Sequence, residues 1–238
     1  MSGSVVVICA QPFEARAMAK VGRGMTREPW GRWLLYRGEM WDLPLAVIRS
    51  GPGKVAAAAA TQAAVQYLDP VAIYTFGVAG SWDRRVRVGS LMVAERVVDL
   101  ALTGLADLPV EIPTEFRAEE TLVETLLDVP GTRAATLLCW EGHVPSPVHR
   151  PGWPEDPLRV AVDWESAAVA QVAEMWGVPW AGVKVVSDHG EKDRLRMVAG
   201  VARRPLQWAA EVIRRASYAF AERRVQTQDM PVPEEAKG

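Results

Sequence analysis

The chain has 238 residues, 27 Lys and Arg against 29 Asp and Glu, a formal net charge of -2 and 49% hydrophobic residues. That length and apolar content support one α/β domain with a sizeable core. Near neutrality gives a polyanion no electrostatic footprint, which argues against nucleic acid and anionic membranes as partners and for a small substrate.

The apolar run at 5–10 has no basic flank and is too short for a signal h-region or a membrane span, so the chain reads as cytoplasmic. Its β-branched content marks a buried central strand. Cys9, within it, and the distant Cys139 form neither a CxxC nor a His-rich cluster, so both read as buried free thiols with no metal site. A helix is expected at 14–20. A polar, Gly-containing stretch leads to a strand at 33–36, and another follows at 45–48, with Arg37-Gly38-Glu39 as a hairpin-like connection.

Ser50-Gly51-Pro52-Gly53-Lys54 breaks the chain directly before the alanine-rich helix at 55–68. Asp69-Pro70 ends that helix, 71–76 is a buried strand, and Gly77-Val78-Ala79-Gly80-Ser81 reads as a second glycine turn. A strand begins at 88–94. The proline-rich span 103–157 is irregular, except for a strand at 133–139. Its segment 140–154 reads as a long surface loop able to cover a pocket. Residues 159–162 lead into a helix at 164–176, 178–186 form a strand ending in Ser187-Asp188, and 201–224 form the closing helix. Residues 1–225 are thus one domain, and 226–238, without periodicity, an expected disordered tail.

Alternating strands and helices predict a three-layer α/β/α sandwich with a mixed, largely parallel central sheet, which binds ligands at the carboxyl ends of its strands. Glu14, both glycine segments, Glu165 and Asp188 fall there. The SGPGK segment is half of a phosphate cradle, but it lacks the P-loop and dinucleotide patterns, and close strand–helix packing explains it equally. Asp188 ends a strand that is apolar except for Lys184, either as a turn cap or facing a ligand. Asp163-Trp164-Glu165-Ser166 fits helix capping or a site. Three carboxylates without a suitably spaced histidine suit acid/base work on a sugar better than metal binding.

SGPGKVAAA at 50–58, FGVAGS at 76–81, VGS at 88–90 and VDWESAAVAQVAEMWGVPWAGVKVVSD at 162–188 together resemble the nucleoside phosphorylase and nucleosidase superfamily. Among its branches the chain is most similar to the methylthioadenosine/S-adenosylhomocysteine nucleosidases. The resemblance implies a cofactor-free hydrolysis of the adenine–ribose bond, a homodimer and a place in methionine salvage. It makes Asp188 the general acid acting at purine N7, Glu165 the ligand of the ribose hydroxyls and Glu14 the carboxylate that activates water. It also places Trp164 against the sugar, Val78, Gly80 and Ser187 at the substrate, and His143 with Val144 at the base.

Phosphorylases of this superfamily carry an arginine where this sequence has Thr75, so water is favoured over phosphate as the nucleophile. Arg23, Arg27 and Arg49 keep a phosphorylase as the alternative. Departures at Gln11, Val78 and Ser90 leave futalosine and adenosylhopane as further substrates, and a nucleoside-binding protein with little catalysis as a reading of another class. Of the 10 tryptophans, Trp82, Trp140, Trp153 and Trp164 lie on segments that can border the site. The remainder read as packing or interface.

Overall fold

The structure, a computed structural model, describes residues 3–102, 114–142, 156–189 and 203–228. Strand β1 (Ser4–Cys9) is buried along its whole length and runs parallel to both of its neighbours, β4 (Leu43–Arg49) and β5 (Pro70–Gly80). Between β1 and β4 come helix α1 (Pro12–Ala19) and two antiparallel strands, β2 (Arg23–Trp30) and β3 (Trp33–Met40). Helix α2 (Lys54–Leu68) crosses from β4 to β5. The second half of the chain supplies β6 (Leu91–Asp99), β7 (Glu115–Arg117), α3 (Glu120–Leu127), β8 (Thr132–Cys139), β9 (Val160–Asp163), α4 (Ser166–Met175), β10 (Trp180–Asp188) and α5 (Arg203–Gln228).

The sheet is mixed and curls back on itself. β5 pairs in parallel with β10 and, at Gly80, antiparallel with β9. β10 pairs with β6, β6 with β8, and β8 with β9, so these five strands close a ring while β1, β4, β3 and β2 extend from it as an open edge. Alternation along β1 sends Val5 and Val7 to one face and Val6 and Ile8 to the other, and both faces are covered. Met18 of α1, Leu122 and Leu126 of α3, and Ile213 and Phe220 of α5 fill the first face. Ala57, Ala60 and Ala64 of α2 and Ala167 and Ala170 of α4 fill the second, where small side chains let both helices lie close to the sheet. This is the expected three-layer α/β/α arrangement with a mixed sheet.

Local expectations differ from it in five places. β3 runs straight through Arg37-Gly38-Glu39, and the reversal falls at Trp41 and Asp42, with φ of 54° and 60°. Two successive left-handed residues match the twist of a tight hairpin. Gly38 serves instead a close strand approach, since a Cβ there would lie 2.6 Å from the carbonyl oxygen of Arg23. β2 escapes a pattern search because its exposed, polar residues show little alternation. The presumed glycine turn at 77–81 is mostly strand, because β5 continues to Gly80 between β10 and β9. The irregular span contains β7 and α3 besides β8, and α5 continues to Gln228, into the segment read as tail. Most of the loop expected at 140–154, including His143, Val144 and Trp153, lies outside the described residues.

Candidate active site

The carboxyl ends of β1, β5, β9 and β10 meet at one edge of the ring, and each delivers a polar group there. Glu14 sits in the first turn of α1, directly after β1, and is only 2% exposed. Its Oε2 accepts the N–H of Gln11 at 2.7 Å and its Oε1 the N–H of Val78 at 2.9 Å. The carboxylate therefore lies against β5 at Gly77. A Cβ on Gly77 would come within 2.6 Å of Glu14 Cδ, so that position requires glycine for a close approach.

Asp188 closes β10 opposite Gly80, the residue with which it is in register, and is 6% exposed. The N–H of Ser81 donates to its carbonyl at 2.9 Å. The Ser187 hydroxyl lies 2.8 Å from Asp188 Oδ2 and 3.2 Å from the carbonyl of Ala79, and so orients the acid from behind. Glu14 and Asp188 thus rest against positions three residues apart on β5, about 10 Å along an extended strand.

Glu165 follows β9 and precedes α4, with Oε1 accepting the N–H of Gly53 at 2.8 Å. Burial, reinforced by the neighbouring Asp163 carboxylate, pushes Glu165 up to about 7, while Lys184 and the Gly53 amide act in the opposite direction. Burial likewise raises Glu14, and Lys184 with backbone amides restrains the shift.

Lys184 is the buried charge beside these carboxylates that pattern reading passed over. It sits mid-strand in β10, in register with Gly77, and its Nζ lies 2.8 Å from Asp163 Oδ2, both side chains being buried. Asp163 also accepts from the backbone N–H and the hydroxyl of Ser166, which fixes the start of α4. The signal was present in the sequence. A lysine inside an otherwise apolar strand demands a carboxylate, because an unpaired buried charge costs several kcal/mol (on the order of 3–5 when one partner is removed). Burial disfavours this ammonium, but the three carboxylates around it, Asp163, Glu165 and Glu14, outweigh that effect and raise its affinity for the proton.

The other expected positions are distributed as follows. Val78 contributes its N–H to Glu14, and Gly80 packs against Asp188. Trp164, 40% exposed, lies between Asp163 and Glu165. Trp82 and Trp140 are partly buried against Val98, Leu138 and Val162 beside this edge, and Trp180 is core, whereas Trp176 and Trp208 are exposed. Thr75 is buried with its hydroxyl 3.4 Å from that of Ser166. Of the arginines considered for phosphate, Arg23 pairs with Glu39 and Asp42 on the β2 side, Arg27 lies in the same edge strand, and Arg49 ends β4 beside Cys9. A hollow of about 420 Å³ lies at the opposite edge of the sheet, lined by Ser4, Arg37, Pro44, Tyr67 and Asp69, away from all three site carboxylates. Both cysteines are free and buried, and no group of His, Cys, Asp and Glu able to hold a metal occurs among the described residues. No helix among the described residues is long and apolar enough to cross a membrane.

Known proteins share this fold. A 5'-methylthioadenosine/S-adenosylhomocysteine nucleosidase of Marinomonas sp. (strain MWYL1) is 32% identical over 169 residues, covering 63% of this chain and 70% of the relative. One from Geobacillus kaustophilus (strain HTA426) is 30% identical over 172 residues, covering 64% and 70%. The fold is similar to the Neisseria meningitidis nucleosidase of the same name, solved with methylthio-immucillin-A, at a TM-score of 0.76 and 19% identity over 91% of this chain and 99% of that one. Futalosine hydrolase of Helicobacter pylori strain 26695 superimposes with a TM-score of 0.77 at 19% identity, over 92% and 99% of the two chains. The profile of the phosphorylase superfamily matches residues 4–217, from β1 into α5 and through every site element described above, and to that superfamily the chain belongs.

Proposed function

We propose that the chain hydrolyses the N-glycosidic bond of a purine nucleoside, an adenine nucleoside with a 5' thioether such as methylthioadenosine or S-adenosylhomocysteine being the substrate that its relatives' names favour. The observation that carries this reading is the meeting of Glu14, Glu165 and Asp188 around the end of β5. In this reading Asp188, oriented by Ser187, supplies the proton that lets the base leave neutral. Glu165 holds the ribose hydroxyls, an interaction that strengthens as the sugar gains oxocarbenium character. Glu14, held by two backbone amides, accepts a proton from the attacking water. Trp164 flanks the sugar, and His143 with Val144 contacts the base.

Water is favoured over phosphate by charge. Lys184 is committed to Asp163, and Lys54 to Asp99. The Gly53 and Lys54 amides at the start of α2 are taken by Glu165 and Glu141. An entering phosphate would meet carboxylates at each of these places. The same fold in futalosine hydrolase supports futalosine as a second substrate reading. The chain acts in the cytoplasm as a homodimer, which the exposed apolar side chains of α2 and α4 support.

The test is release of free base from methylthioadenosine, S-adenosylhomocysteine, futalosine and adenosine, with and without phosphate. Turnover without phosphate is expected, and an Asp188→Asn variant is expected to lose at least about 100-fold in kcat on purine substrates. Strict phosphate dependence, or a fully active Asp188→Asn, overturns the assignment.

A further inference from the structure

The turn that opens α2 does more than join two elements. Gly53, whose N–H donates to Glu165 at 2.8 Å, is followed by Lys54, and Lys54 is held at both ends. Its own N–H donates to Glu141 Oε1 at 2.6 Å, and its Nζ lies 3.0 Å from each oxygen of Asp99. Asp99 is buried at the end of β6, where it also accepts the N–H of Ala101 at 3.0 Å, and it is in register with Cys139 of β8. Glu141 stands two residues beyond Cys139, and Trp140 between them donates its N–H to the carbonyl of Asp163 at 2.9 Å. The ends of β6, β8 and β9 are thereby stitched to one lysine. Gly53 has φ of 95°, a conformation that favours glycine, and a Cβ there would lie 2.7 Å from Glu141 Oε1.

We propose that Lys54 is a positioning residue for Glu165: pinned by Glu141 at its backbone and by Asp99 at its ammonium, it keeps the Gly53 N–H aimed at one carboxylate oxygen and leaves the other to the ribose. This rests on the reading of Glu165 as the ribose ligand. A plain stabilising ion pair would need only the Lys54–Asp99 contact. The second pin anchors the amide adjacent to the one that Glu165 uses, so only φ and ψ of Gly53 lie between two held amides and the Gly53 N–H keeps its direction.

The charged groups that face Glu165 are Asp163 from β9 and Glu14 from α1, which raise its proton affinity, and Lys184 from β10, which lowers it together with the Gly53 amide. Loss of the amide bond removes a charge-assisted hydrogen bond from the ionised form. Glu165 should then titrate about one pH unit higher.

The experiment compares the pH dependence of kcat/KM for methylthioadenosine in the native chain, Lys54→Met, Glu141→Ala and Lys54→Arg. In parallel, the carbon-13 signal of the Glu165 carboxyl is titrated without substrate, assigned by its disappearance in Glu165→Gln. The acid limb and the carboxyl titration are expected to move up together by about one unit in Lys54→Met and Glu141→Ala, and to return in Lys54→Arg. If Lys54→Met does not fold, Glu141→Gln, which keeps a neutral acceptor, gives the same reading with a smaller shift. A lower melting temperature with an unmoved titration overturns the proposal and leaves Lys54 a structural strut. An acid limb that persists unchanged in Glu165→Gln refutes instead the ribose reading on which it rests.

Discussion

Glu165 shows how a single residue can set activity against stability. Its acidity is pushed from an ordinary carboxylate's to about 7, mainly by burial, yet binding ribose hydroxyls requires the ionised form. In an unfolded chain the group ionises near 4.5, so between 4.5 and 7 the folded state holds a proton that the unfolded state has lost. The stabilisation is complete below the unfolded value and disappears as pH rises through the folded one. The shift is worth on the order of 3 kcal/mol. Glu165→Gln cannot ionise and keeps an acceptor for Gly53. Thermal melts are expected to show it more stable than the native chain at pH 8, with the gap shrinking as pH falls through 7 and closing only below 4.5, and with activity lost throughout. Equal stability at pH 8 would mean that the carboxylate is not the source of the strain. The pH–rate profile of the native chain should correspondingly rise through an acid limb near 7.

At the scale of elements, β5 is the one that builds the site, and its legibility was uneven. The apolar run at 71–76 marked the strand plainly, but the glycines that follow read as a turn because composition does not say what they approach. Gly77 makes way for the Glu14 carboxyl and Gly80 for Asp188, and the strand continues under both. Glu14, Glu165 and Asp188 were recognisable from their places after strands and from the resemblance of the surrounding blocks. Lys184 was visible only as an interruption, since its partner Asp163 is 21 positions away and paired with it by the ring closure of the sheet. The prediction at this scale concerns Gly77→Ala. The added methyl has no space unless Glu14 leaves its two amides, and a displacement of about 1 Å in a reacting group can cost 100-fold. Steady-state kinetics should show kcat reduced by about that factor with KM much less affected. Native kcat in this variant would show that Glu14 need not occupy its observed position.

For the molecule as a whole, the opening charge balance and the surplus of tryptophan acquire a physical location. Trp180 is packed in the core, while Trp176 at the end of α4 is exposed and its indole N–H reaches Gln62 of α2 at 2.8 Å. α2 and α4 lie together on one face of the sheet, and their outer surface carries Val55 at 83% exposure, Tyr67 at 73% and Met175 at 76%. Exposed apolar side chains this large, carried by the same two helices, are costly in water and are satisfied when the same face of a second copy covers them, as an isologous contact does. The α5 side differs, because Arg214 lies over Trp41 and Arg215 over Trp208, so its indoles are already shielded by cations. The proposed dimer therefore uses α2 and α4. Val55→Glu combined with Trp176→Glu is expected to convert a dimer into a monomer in sedimentation velocity, by placing like charges across the two-fold axis, whereas Trp208→Glu should leave the sedimentation coefficient unchanged. A dimer that survives the first pair of substitutions and dissociates with the second would move the interface to α5. A native chain that sediments as a monomer at micromolar concentration would remove the dimer altogether.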